Sequence, residues 1–297
     1  MMKHFLFSVV CASHNGLKKL PKLIDSIKKN SLLPDEIIIC GTHKDDLSLI
    51  DKVIIKKLKI EFILSKKKNQ SYQRKLAINK TKNEIIFQLD DDLYIDKNYF
   101  KNMSKHFNKD KNKKQIVSAA ILFRNLTHQA IRWNNAYYSN FFFRLILRIF
   151  NFGFEPKYMS VLESGRIIPK LPKEFLTKTK NKKSKKIINN LQWVCSTIAY
   201  NKKFYRLGLK LNIKQAKAYY EDVFFTHSLY KKGFNLCIDR DCIAYHPNTN
   251  PTNFKVFIET VISQFNIVKF FNKSFLLFFI DIFIFSIIFI FYNINEK

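Results

Sequence analysis

Three consecutive carboxylates, Asp90-Asp91-Asp92, close the apolar run Glu84–Leu89. Like charges about 5 Å apart repel by roughly 3 kcal/mol at an effective dielectric near 20, so a fold keeps such a run most readily where a cation compensates it. Oxygen ligands in this number suit a hard divalent ion, Mg²⁺ or Mn²⁺, shared with substrate phosphates. In extended backbone Asp90 and Asp92 point one way and Asp91 the other. Asp90 and Asp92 are therefore the expected metal pair. The plain alternative is an acidic turn ahead of a helix over 93–107. A second acidic pair, Glu221-Asp222, opens a stretch with helical spacing. Beside a metal site, a carboxylate there can take the proton of an incoming hydroxyl; otherwise it is an acidic first helical turn favoured by the helix dipole. His246 follows the last apolar run, where a third metal ligand can enter, although a His before Pro also suits a simple turn. Ser13, His14 and Asn15 end the first apolar run, within reach of a bound nucleotide.

These residues need elements that bring them together. Phe5–Ala12 is β-branched and apolar and stops at a turn signal, Ser13-His14-Asn15-Gly16. Leu17–Lys29 then carries apolar residues at helical spacing. Glu36–Cys40, Phe62–Leu64 and Glu84–Leu89 read as further strands, and Tyr72–Lys80 as the helix between the last two. Strands alternating with helices of this length predict an α/β fold, a Rossmann-like and mostly parallel sheet with flanking helices. Ligands bind such sheets beyond the carboxyl ends of the strands, which is where Asn15 and Asp90–Asp92 fall. Ile116–Phe123, Trp193–Tyr200, Phe234–Ile238 and Cys242–Tyr245 continue the strand pattern, with a helix over 218–231. Walker A, G-x-G-x-x-G, G-x-S-x-G and H-E-x-x-H patterns are all missing from the sequence, which removes several enzyme classes.

The 297 residues suit one large α/β domain with an appendage, and 47% hydrophobic residues supply a packed core. A net charge of +29 raises nucleic acid or anionic membrane as partners. The lysines are scattered among Asn, Ile and Phe, however, as compositional drift would leave them, so no specific nucleic acid is expected. The denser run 178–186 reads as a solvated loop. Five cysteines without a C-x-x-C read as buried free thiols of a reducing compartment. Ser274–Tyr292 stands apart as a hydrophobic helix close to the length of a bilayer core. Asp281 at its middle costs about 2.5–3.5 kcal/mol on insertion, which the surrounding Phe, Ile and Leu outweigh. A membrane-spanning or deeply seated helix is expected there. More lysines precede it than follow it, which leaves the main domain in the cytoplasm. Arg144 and Arg148 among the aromatics of 141–154 suit lipid headgroups.

The order FSVVCASHNG, PDEIIICGT, QRKLAINKTKNEIIFQLDDD and EDVFFTHSLYKKGF resembles family 2 glycosyltransferases of the GT-A fold, over about residues 5–247. The resemblance implies an inverting transfer from a nucleotide-diphosphate sugar, aided by Mg²⁺ or Mn²⁺. It places Asp90 near the donor ribose and metal, Asp92 on the metal, and Asp222 as catalytic base next to Glu221, while Asp91, on the donor side but pointing the other way, is expected as a bystander. Arg74 matches an Arg that helps hold the donor, and His246 a further metal or diphosphate contact. Trp193, Ser196 and Thr197 fall where the acceptor would bind. Two departures stand out. The second strand ends in Cys40-Gly41-Thr42-His43 where the family has an Asp-rich turn, leaving Thr42, Asp45 or Asp46 as substitutes. No Q-x-x-R-W motif follows the base region, which favours transfer of a single sugar. The expected organisation is a glycosyltransferase domain over 1–250, with a donor half 1–105 and an acceptor half 106–250. A membrane-associating segment over 251–297 follows. The expected acceptor is a glycan or lipid-linked hydroxyl compound at the cytoplasmic face of a bacterial inner membrane. A nucleotidyltransferase, a non-catalytic membrane-anchored nucleotide-sugar binder and a basic nucleic-acid binder are the competing readings.

Overall fold

The β-branched runs read from the sequence pair edge to edge in one twisted sheet. The computed structural model describes residues 5–108, 110, 112–123, 139–172, 175, 186–195, 197–208, 220–247 and 254–295. The chain divides into two compact units, Met1–Asn125 with Lys173–Asn248, and Leu126–Pro172 with Thr249–Lys297. The second unit thus draws in residues 126–172, which the sequence reading assigns to the acceptor half.

In the first unit β1 (Ser8–Ala12), α1 (Leu20–Lys28), β2 (Glu36–Gly41), α2 (Lys52–Lys57), β3 (Ile60–Leu64), α3 (Gln70–Lys80) and β4 (Ile85–Asp90) alternate as expected. β1 pairs parallel with β2 on one side and β4 on the other, and β2 pairs parallel with β3. β5 (Tyr94–Ile95), α4 (Tyr99–Ser104), β6 (Gln115–Phe123), β9 (Ile187–Ile188), β10 (Ile198–Asn201), α6 (Glu221–Lys231) and β11 (Asn235–His246) complete it. Among the described residues the sheet order is β3-β2-β1-β4-β10-β6-β11-β5, with β9 on β11. β10 runs antiparallel to both β4 and β6, so the sheet is mixed. The reversal matters for function, because Ile198 pairs with Gln88 and the chain just before Ile198 lies at the carboxyl edge of β4. β11 is one strand with an irregularity between Asp239 and Ile243, where the sequence pattern shows two runs.

Local signals account for these elements. β1 is fully buried, as a continuous apolar run between two parallel neighbours must be. α1 turns Leu20, Leu23, Ile24 and Ile27 into the core. Asn69 caps α3, its Oδ1 accepting from the N–H of Tyr72 at 2.8 Å. The core lies on the α1–α4 side of the sheet around Phe7, Phe87, Tyr99 and Phe100.

The second unit holds α5 (Phe141–Ile149), the β7–β8 hairpin (Ser160–Val161, Ile167–Ile168), α7 (Phe254–Phe271) and α8 (Phe275–Asn295). Leu147, Phe150, Leu162 and Ile168 form its core, with Ile284 and Phe285 of α8 against them. The C-terminal hydrophobic segment is therefore a helix. Among the described residues, however, no helix is long and apolar enough to cross a membrane. Asp281 is fully buried inside this unit, where it accepts from Ser164 Oγ at 2.6 Å and from the Arg166 guanidinium. Its cost is met by a partner 115 residues away, which no local reading of α8 reveals.

Candidate donor and catalytic site

Register brings the motifs to one edge. Ala12 pairs with Asp90 on one side and Cys40 on the other, so β1, β2 and β4 end together. Beyond that edge Asp91 turns back under the first loop. Its Oδ2 accepts from Ser13 Oγ at 3.0 Å and from the His14 N–H at 3.1 Å, while Lys19 Nζ reaches Oδ1 at 3.2 Å. Burial raises the Asp91 pKa, with Lys19 and the His14 N–H opposing the rise. Asp91 is thus the clamp that shapes the Ser13–Gly16 turn, not the bystander its alternation suggests. Asn15 takes the left-handed conformation there, with φ of 54°, which Asn tolerates better than most residues. The Gly16 N–H donates to Asp46 Oδ1 at 3.0 Å. Asp46 is consequently buried and committed to the loop rather than presented to a nucleobase. Thr42 Oγ1 stays exposed, 3.5 Å from His14 Nδ1.

Arg74 ties β4 to the helix carrying the acidic pair. One guanidinium nitrogen donates to Asp90 Oδ1 at 2.7 Å and the other to Glu221 Oε2 at 2.7 Å. Burial disfavours the Arg74 charge, but Glu221 and Asp90 outweigh it and its pKa rises further. The two members of the acidic pair therefore differ. Glu221 is buried against Arg74 and raised by burial. Asp222 is partly buried; burial pushes its carboxyl up to about 7, with Arg74 lowering it and Asp90 raising it. A carboxylate that changes charge near neutrality is matched to proton transfer. Tyr220, which enters the helix at φ 64°, holds a strained conformation for a bulky residue. Arg74, Gln88, Tyr205, Glu221, Asp222 and Phe225 line a pocket here.

The remaining expected ligands meet only in part. His246 Nε2 lies 3.6 Å from Asp92 Oδ1, both partly exposed. Asp90 faces Arg74. Among the described residues the one cluster that already converges three metal-type donors is His106, Asp239 and Cys242, all on the core side of β11. There His106 Nε2 sits 2.7 Å from Asp239 Oδ2, and Asp239 Oδ1 accepts from the Asp241 N–H. Asp239 and Cys242 lie seven and four residues before His246 on β11, and the group is tied together by the His106–Asp239 contact.

On the acceptor side, Trp193 and Thr197 are buried, 4% and 0% exposed, and neither presents its side chain to solvent. Ser196 lies outside the described residues. Cys195, which the sequence reading treats only as a core thiol, is less buried and stands near the acidic site. Its thiol is pushed up by burial and then by Asp222 and Asp90. The antiparallel entry of β10 creates this placement, and no local sequence signal announces it.

With this geometry in view, the profile of Glycosyl transferase family 2 matches residues 8–163, more than half the chain. The chain belongs to Glycosyl transferase family 2. It shares its fold with S. aureus TarS, at 15% identity and a TM-score of 0.51 over 86% of this chain and 39% of that one. TarS residues 1–349 in complex with UDP-GlcNAc align at 14% identity and 0.51, over 87% of this chain and 66% of that one. GalNAc-T7 with UDP, GalNAc and Mn²⁺ aligns at 15% identity and 0.58, over 91% and 48%. The chain therefore spans less than half of TarS and of GalNAc-T7. No curated protein matches at the level of sequence.

Proposed function

We propose that the chain transfers a single sugar, with inversion, from a nucleotide-diphosphate sugar to a hydroxyl of a glycan or lipid-linked acceptor. The observation that carries this reading is Asp222, a carboxyl poised near 7 in a pocket whose Arg74 also grips Asp90 on the donor strand. Asp222 takes the acceptor proton as the acceptor oxygen bonds to the anomeric carbon. The bond from that carbon to the diphosphate oxygen breaks, and the electron pair leaves with the diphosphate. Glu221 and Arg74 position this base. Ser13, His14 and Asn15 flank the nucleotide, and Asp91 holds their loop.

Asp92 and His246, with Asp90 at the same strand edge, would hold Mg²⁺ or Mn²⁺. Such an ion supplies charge stabilisation to a departing diphosphate. That GalNAc-T7 was crystallised with UDP and Mn²⁺, and TarS with UDP-GlcNAc, supports a nucleotide-sugar donor and a metal of this class. A membrane acceptor is supported by Arg144 and Arg148 among the aromatics of 141–154 and by the strongly apolar C-terminal helix. The cytoplasmic face is favoured by the free cysteines.

The deciding experiment is metal-dependent transfer from a panel of UDP-, GDP- and TDP-sugars, compared with Asp222→Asn. The variant should keep the donor's thermal stabilisation and lose turnover by about 10²- to 10⁴-fold. Near-normal turnover would remove Asp222 from its role. Asp92→Ala should weaken donor binding in Mn²⁺ titrations, and an unchanged metal dependence would exclude that ligand.

A further inference from the structure

The second unit resolves what α8 does with its single charge and leaves a surface to be explained. Asp281 faces inward, where it is bound by Arg166, Ser164 Oγ and Gln264 Nε2, and Arg166 stacks over the Phe285 ring. With that carboxylate withdrawn, every residue of α8 that stands exposed between Phe275 and Ile287 is hydrocarbon. Leu276, Phe279 and Phe283 recur at helical spacing and are 71%, 63% and 68% exposed. α5 repeats the arrangement. Leu147 points into the core, while Phe142, Leu145 and Ile149 are exposed at i, i+3 and i+7. The two helices belong to one packed body, joined through Phe143 and Phe285. Stripes of this kind on a soluble surface mark an interaction site.

Charge selects the occupant. The second unit carries ten Lys and Arg against five Asp and Glu. Of the five, Asp281 is paired with Arg166, Glu163 with Lys273, and Glu155 with Arg148 and Lys170. Lys157 and Lys269 stand exposed. A second copy applied to this face would bring positive charge against positive charge. Anionic headgroups would meet the same residues with attraction, at a depth where Phe and Leu are also favoured.

We propose that the second unit seats on an anionic lipid bilayer through the outward stripes of α5 and α8, lying in the headgroup–acyl boundary without crossing it. This deepens the membrane placement proposed above and does not depend on the transferase reading.

The test is co-sedimentation of the purified full chain with phosphatidylcholine vesicles, with and without about 30 mol % phosphatidylglycerol. The wild type should pellet with the anionic vesicles, be released by alkaline carbonate, and partition at least about tenfold less onto neutral ones. Phe142→Glu with Phe279→Glu and Phe283→Glu should reduce partitioning more than about tenfold. Donor-induced thermal stabilisation in the first unit should be unchanged. Lys157→Glu with Lys269→Glu, which replaces two exposed lysines, should lower binding to anionic vesicles alone. A wild type that stays in the supernatant overturns the proposal, and so do triple variants that pellet equally. Resistance to carbonate would mean a spanning helix instead, and a dimer abolished by the triple substitution in vesicle-free solution would mean a second copy. Vesicle binding without sugar transfer leaves this inference standing and counts only against the catalytic one.

Discussion

At the scale of single residues, Asp222 is the most sharply defined group, because its environment sets both a rate and a stability. Burial raises its carboxyl from 3.8 to about 7. A base must be ionised to work, so kcat/KM should fall about tenfold per pH unit below about 7. A limb at pH 4 in the rate profile would remove this assignment. The stability effect has the opposite sign. Between pH 3.8 and about 7 the folded state holds the proton and the unfolded state does not, so stability declines as pH rises through that window. Asp222→Asn is uncharged at every pH. Its Tm should therefore gain on the wild type from about pH 4 to pH 7 and level off above, as parallel melts would show. The carboxylate run and the acidic pair were legible in the sequence because clustered like charges need a reason. What stayed hidden was their division of labour. Arg74 reaches Glu221 across 147 residues, a contact that no local pattern announces.

At the scale of elements, the β1 loop shows how a strand end becomes a binding edge. Asp91 is the acceptor for Ser13 Oγ and the His14 N–H, both nearly buried or partly so. Asp91→Ala strands these donors, which costs about 1–3 kcal/mol for a buried unpaired group. Urea unfolding should register that loss together with weakened donor binding. Unchanged donor affinity would show that the loop does not touch the nucleotide. Gly16 lies in the same turn, and a Cβ there would come within 2.2 Å of Ser13 Oγ and 2.7 Å of Leu20 Cδ1. Elements up to β4 were readable because parallel strands buried on both faces leave continuous β-branched runs. The later ones were harder. Trp193–Tyr200 reads as a strand throughout, yet among the described residues only Ile198–Asn201 is strand there, since burial in a loop and burial in a sheet leave similar composition. β10 is buried on both faces as the parallel strands are, so its antiparallel direction could not be read from its pattern.

At the scale of the whole molecule, the second unit turns on one buried ion pair. The sequence presents Asp281 as a cost to be borne by a hydrophobic helix, and the fold instead gives it Arg166 from the β7–β8 turn, with Ser164 and Gln264 completing its hydrogen bonds. Removing one partner of such a pair leaves the other charge uncompensated, at about 3–5 kcal/mol. Asp281→Ala should therefore loosen the contact of α8 with the hairpin and α5, seen as faster amide exchange in α5 and α8 and as new protease cleavage there. Replacing both partners by apolar residues of similar size restores neutrality, and such exchanges are commonly neutral or stabilising. Asp281→Leu with Arg166→Met should accordingly recover most of the stability lost in Asp281→Ala, and a double-mutant cycle on the two positions should give a coupling at least as large as the stability recovered. If the single and double variants are equally protected, the pair is not what holds α8 in place. Because that pair turns the charge of α8 inward, the single variant should also lose vesicle binding, by disordering the stripe that Leu276, Phe279 and Phe283 present, whereas the double variant should keep it.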